Sequence, residues 1–116
     1  MAVVELENCP CSGKTLARLI HPAILGALAK GEAHGYEIAQ QLAELSSFAA
    51  PDAAGIYRAL SVMERDGYVD SHWDAPQAGP ARKVFQLTAS GRACLGQWRR
   101  TLRAYRTDLD RLLAML

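Results

Sequence analysis

The sequence predicts a mainly α fold that carries one two-stranded hairpin and closes on a long C-terminal helix. Three observations predict it. Before residue 67 the apolar residues recur at three- and four-residue spacing, in stretches separated by Gly-, Pro- and Ser-containing breaks. From Val69 to Leu87 that period gives way to alternation on both sides of a turn containing Pro76, Gly79 and Pro80. Beyond it, Leu95, Trp98, Leu102, Tyr105, Leu109, Leu112 and Leu116 repeat with spacings 3, 4, 3, 4, 3, 4, which is the seam of a heptad helix.

Taken in order, the first helix places Leu16, Leu19, Ile20, Ala23, Ile24, Ala27 and Leu28 on one face. Pro22 lies inside that pattern without a backbone donor, so either a kink or a short leading helix ending near Ile20 or His21 is expected. Lys30-Gly31-Glu32 ends the element. A second helix follows from about Tyr36 to Leu45, with Tyr36, Ile38, Ala39, Leu42 and Ala43 as its apolar surface and Gln40, Gln41 and Glu44 as its polar one. Residues 46–50 form a turn, and Pro51 can begin the next helix, where its missing N–H matters little.

The third helix, roughly Asp52 to Asp66, turns Ile56, Leu60 and Met63 inward and stops at Gly67. At about 100° per residue, Ala54, Arg58 and Arg65 point away from that core face, Ser61 and Val62 flank them, and Tyr57 stands at the edge. Val69, Ser71 and Trp73 alternate with Asp70, His72 and Asp74, and Phe85 and Leu87 with Val84 and Gln86, giving two strands that can pair. Arg82 and Lys83 stand on the descending side of the loop between them. Thr88 or Ser90 can cap the final helix, whose remaining faces are kept wet by Arg92, Arg99, Arg100, Arg103, Arg106 and Arg111. Its seam needs another apolar surface, either its own domain or a second copy of the chain, and a second copy is expected.

Helix, turn, helix and basic hairpin in that order describe a winged helix-turn-helix. Three parts result: an N-terminal arm with a Cys-Pro-Cys motif (1–14), the winged domain (15–87) and a C-terminal dimerisation helix (88–116). A chain of 116 residues, half of them hydrophobic, buries one modest core. The net charge of +1 does not by itself point to nucleic acid, so attraction to phosphate has to come from where the bases sit. Met1 to Asn8 holds two acids and no base, and no stretch approaches the roughly 18 apolar residues of a membrane span, so a cytoplasmic location without a membrane partner is expected.

Two guanidinium groups among small residues on the third helix can enter a groove of duplex DNA. Arg58 or Arg65 bidentate to guanine discriminates by about 1–3 kcal/mol, whereas Arg82 and Lys83 fix position and salt dependence. Arg65 can instead pair with Asp66 on the surface, and Tyr57 can be a half-buried packing residue. A winged module used only for protein contacts is a third reading, allowed by Gly55, Val62 and the near-neutral charge. No Ser/His/Asp set, paired carboxylates or phosphate loop stands out, so an enzyme is not expected. His34 reads as a capping or packing residue and His72 as solvated.

The residues resemble the PadR-type winged-helix transcriptional regulators, especially the short members with a single C-terminal helix. The resemblance rests on His34-Gly35-Tyr36-Glu37-Ile38, on Ile56-Tyr57 with Leu60, Glu64, Gly67 and Val69, on Gly79-Pro80-Ala81-Arg82-Lys83, and on Leu87-Thr88 with Gly91-Arg92. It implies a homodimer that binds a palindromic operator, usually represses, and releases DNA when an effector binds. It also implies that Tyr57 and its helix approach the major groove, with Arg82 and Lys83 at phosphate or minor groove. Departures from the family pattern are Arg58 where proline is common, Gly55 where a small hydroxyl residue is common, and Val62 where a base is usual.

The DNA-contacting set expected is therefore Tyr57, Arg58, Ser61, Arg65, Arg82 and Lys83. Some short PadR-like proteins bind planar compounds between tryptophans, which implies an effector pocket at Trp98, Leu102 and Tyr105 for a flat aromatic molecule; Trp98 filling the dimer core is the alternative. No cofactor is required. Cys9 and Cys11, joined by Cys94 if the arm crosses the dimer, can converge on a soft metal ion or sense redox state, with His21 a candidate fourth ligand. Ordinary thiols on an N-terminal arm are the other reading.

Overall fold

The structure is a computed structural model, which describes residues 19–45, 53–75 and 79–116. Its elements are α1 (Ile20–Leu28), β1 (Ala33–His34), α2 (Gly35–Leu45), α3 (Ala53–Arg65), β2 (Val69–Asp74), β3 (Arg82–Leu87) and α4 (Ala89–Met115). Pro22 does not kink α1, and a short leading helix would fall on residues outside those described. The proline is the third residue of a continuous helix, within the first turn, where backbone N–H groups have little intrahelical use. Ala23 N donates to Leu19 O at 3.1 Å, so the ladder starts just past the proline.

The hairpin gains a third strand. β1 lies beside β3 in an antiparallel sheet of order β1-β3-β2. Two residues are too short to show alternation, so their pairing with Phe85 and Val84 has no sequence signal. Directly opposed residues share a face, so Ala33, Phe85 and Ser71 lie together, as do Leu87 with Val69 and Lys83 with Trp73. This face covers the core. Val84 is buried on the opposite face, flanked in register by His34 and His72.

Ile24, Leu25 and Leu28 of α1 meet Ile38 and Leu42 of α2, Ile56, Leu60 and Met63 of α3, and Val69, Phe85 and Leu87 of the sheet. The inward face of α3, and that of α1 from Ile20 on, are those the spacing predicts; Leu16 lies outside the described residues. On α2 the apolar face is narrower, because Tyr36 and Ala43 are exposed. α3 ends in a Schellman cap: Gly67, at φ 86°, donates to Glu64 O, and Tyr68 N donates to Met63 O at 2.9 Å.

Thr88 joins the sheet to α4 and is its N-cap. Its hydroxyl accepts from Gly91 N at 3.0 Å and donates to Gly67 O at 2.6 Å, while its own N–H donates to Tyr68 O at 3.1 Å. Gly91 is buried against that corner, where a Cβ would overlap the Tyr68 carbonyl oxygen. Beyond it the heptad seam divides. Cys94, Leu95 and Trp98 pack on the domain's own core, whereas Tyr105, Leu109, Leu112 and Leu116 are exposed. None of the described helices is long and apolar enough to cross a membrane.

Candidate nucleic-acid interface

The outward face of α3 carries Ala54, Arg58, Ser61 and Arg65, all exposed. Arg58 is in no ion pair among the described residues. Arg65 Nε lies 3.4 Å from Asp66 Oδ1, the surface pair that its sequence neighbour allows. With both partners well exposed, that pair is weak and can open. Tyr57 is the half-buried packing residue that one reading of the sequence allows. Its ring rests on the backbone of Gly35, where a Cβ would come within 2.5–2.7 Å of ring and hydroxyl atoms, yet it stays 47 % exposed.

On the wing the two bases differ. Arg82 is exposed and in no ion pair among the described residues, with Asp74 opposite it in register. Lys83 is half-buried: its Nζ lies 3.4 Å from Glu64 Oε1 and 5.4 Å from the centroid of Phe85. The other carboxylate oxygen of Glu64 accepts from Ser71 Oγ. Glu64 therefore ties α3 to both strands of the wing. Sequence reading places Glu64 and Lys83 on separate elements, and only the sheet register brings them together.

The start of α2 is built around His34 and Glu37. Glu37 accepts the His34 backbone N–H at 3.1 Å and meets the His34 ring at Nδ1, the returning half of a capping box. These bonds, the backbone one first, hold the Glu37 carboxyl below its ordinary value of 4.5. His34 thus stands at the capped position, with Glu37 as the group that caps it. His72 is half-exposed, its Nε2 3.8 Å from Glu32 Oε2.

Between the start of α2, the edge of α3 and the wing lies an open cleft of about 840 Å³. Tyr36, Tyr57, Trp73, Arg82 and Lys83 line it together with His34 and Glu37. The predicted residues Tyr57, Arg82 and Lys83 meet here, Arg58, Ser61 and Arg65 lie on the exposed face of α3, and Tyr36 and Trp73 are additions that sequence reading missed. A second region lies along α4, where Trp98, Leu102 and Tyr105 line an apolar groove of about 530 Å³ with Leu19 and Leu109. Cys94 is a free thiol, half-buried beside the core. Cys9 and Cys11 lie outside the described residues, and among the described residues no group of three His, Cys, Asp or Glu side chains could hold a metal ion.

A three-stranded winged sheet, an outward basic helix face and a capped long helix are one arrangement found in a known family. The family model described as "Transcriptional regulator PadR-like family" matches residues 24–97. The chain belongs to this family. Of PadR-family structures, a regulator from Clostridium difficile R20291 superposes with a TM-score of 0.76 at 30% identity, covering 82% of this chain and 98% of that one. Bacillus subtilis PadR in complex with operator DNA superposes with a TM-score of 0.65 at 28% identity, over 78% of this chain and 59% of that one. The negative transcriptional regulator PadR of Bacillus subtilis strain 168 is 32% identical over 82 residues, 70% of this chain and 45% of the relative. This chain spans less than half the length of the curated relatives it matches. The PadR-like match ends at Gln97, so it includes the cleft and the face of α3 but not the exposed half of the seam.

Proposed function

We propose that this PadR-family chain is a dimeric, sequence-specific DNA-binding regulator of the cytoplasm that represses transcription and is released from a palindromic operator by a small-molecule effector. The observation that carries the DNA-binding part is the exposed face of α3. Arg58 and Ser61 stand free of the core there, and Arg82 projects from the adjoining wing. A helix of this kind reads base edges while the wing fixes position on the backbone. The superposition on Bacillus subtilis PadR in complex with operator DNA supports the same assignment. In this reading Tyr57, Arg58, Ser61, Arg65, Arg82 and Lys83 form the DNA contact set.

Dimerisation is supported by the uncovered seam. Leu109 and Leu112, 42% and 49% exposed, continue the apolar line that Leu95 and Trp98 begin. A second copy laid on this line supplies the surface that a heptad seam needs and presents two copies of α3 for half-sites about 34 Å apart. The groove at Trp98, Leu102 and Tyr105 borders the same line, so a planar aromatic effector wedged there would alter the spacing of the two readers.

Duplex fragments from upstream of the chain's own coding region test the reading. Salt-sensitive binding to one fragment in strong preference to unrelated duplexes is expected, with equal affinity for all duplexes at moderate salt counting against it. Replacing Leu109 and Leu112 together by aspartate is expected to convert a dimer to a monomer in sedimentation and to weaken operator binding. A wild-type chain that sediments as a monomer would remove the dimeric part.

A further inference from the structure

Three aromatic side chains on the cleft stay exposed, and for two of them, Trp73 and Tyr36, the core supplies no reason. Trp73, next to last in β2, lies on the core-covering face of the sheet, beyond the point where the core stops, and is 68% exposed. Tyr36, in the first turn of α2, is 69% exposed, and Tyr57 is held at the edge of α3 by Gly35. A single exposed ring needs no explanation, but three on the walls of one cleft, drawn from three separate elements, form a surface.

The charges of the cleft are largely engaged. Lys83 is held by Glu64, and Glu37 by His34. Arg82 is the cleft's cation outside any ion pair among the described residues. A site of this composition is poorly suited to draw in phosphates by charge alone. It suits the deoxyribose faces of a DNA strand, which offer apolar C–H surface between one phosphate and the next. Rings pack on that surface or on an unstacked base edge, and a single guanidinium takes the neighbouring phosphate.

We propose that Trp73, with Tyr36 on the same cleft, is a non-ionic DNA contact that packs against the sugar–base surface of one operator strand while Arg82 binds the adjacent phosphate. This inference rests on the DNA-binding reading above and adds to it the residues that grip the strand at the wing. It assigns the wing two kinds of contact with different salt behaviour. Trp73 contributes affinity that salt does not screen, and Arg82 contributes affinity that salt removes.

The test uses the full chain and the upstream duplex that the wild type binds best, with affinity measured over a salt series. Trp73→Ala is expected to weaken binding about tenfold at every salt concentration without changing the slope of log affinity against log salt. Trp73→Phe retains a ring and is expected to recover most of that loss, while Arg82→Ala lowers the slope by about one. The tryptophan emission of the wild type should change on adding duplex, and much of that change should vanish in Trp73→Phe. Unaltered affinity in Trp73→Ala, with its thermal melt unchanged, overturns the proposal, as does a change of slope in that variant. A wild type that binds no duplex overturns the DNA-binding reading itself, which separates the two failures.

Discussion

Replacing Gly91 by alanine tests how α4 is seated on the reader domain, because the obstacle at this position is backbone. An added Cβ would overlap the Tyr68 carbonyl oxygen and stand 3.1 Å from its carbon and 3.2 Å from Leu87 Cδ2. Tyr68 O also receives the Thr88 N–H at 3.1 Å, so neither strand nor helix can yield without breaking that bond. Lifting α4 loses this bond and the Thr88 Oγ1 to Gly67 O bond, each worth about 0.5–1.5 kcal/mol. Alanine returns up to about 1 kcal/mol of helix propensity. The balance, with the added loss of packing at Leu87, is a destabilisation of about 1–3 kcal/mol, or a Tm lower by roughly 4 °C for each kcal/mol. Gly96, also in α4, is the control. Its nearest neighbour is Arg100 Nη1 at 3.9 Å, so Gly96→Ala should stabilise by about 0.5–1 kcal/mol. Urea unfolding at one fixed protein concentration, followed by helical circular dichroism, measures both. Gly91→Ala as stable as the wild type, or more so, would refute the claim that α4 docks through a glycine-only contact.

Two further substitutions probe the interface region. Glu64→Ala should reduce stability by about 1–3 kcal/mol, because it removes the bond from Ser71 Oγ as well as the partly exposed pair with Lys83. It should also steepen the salt dependence of DNA binding by about one unit of slope as Lys83 becomes free for phosphate, and an unchanged slope would place Lys83 away from the backbone. Glu37, whose carboxyl is held below 4.5 by the His34 backbone N–H and then the His34 ring, contributes stability that is present above that value and lost as pH falls through the lower folded one. The Tm gap between wild type and Glu37→Gln should therefore be widest at neutral pH and close on acidification below it, whereas a gap constant down to acid pH would show that the ionised carboxylate is not responsible.

Much of the fold was legible because it is written in short-range periods. The core faces of α1 and α3, the stop at Gly67, the cap at Thr88 and the seam of α4 each depend on residues within a turn or two of one another. β1 was not legible, since two residues carry no period and are strands only because β3 lies beside them. Val84 alternates with Phe85 and so lies on the other face of the sheet, yet it is buried there, flanked in register by His34 and His72, which alternation does not reveal. Of the candidate site, the free guanidiniums of Arg58 and Arg82 follow from helix geometry and position after a turn. The engagement of Lys83 by Glu64 does not, because it crosses from one element to another.

The sequence by itself determined which residues each helix turns inward, where the elements stop, and that an apolar line runs down the last helix. These are local consequences of 3.6-residue and two-residue periods acting on a binary pattern of side chains. Only the tertiary structure decided that Tyr36, Tyr57 and Trp73 share one cleft, that Glu64 joins both wing strands, and that the apolar line is covered as far as Trp98 and bare from Tyr105. The physical reason is that sheet register and helix docking are set by the whole core closing at once, so contacts between distant residues exist only after α3, the sheet and α4 have found their places.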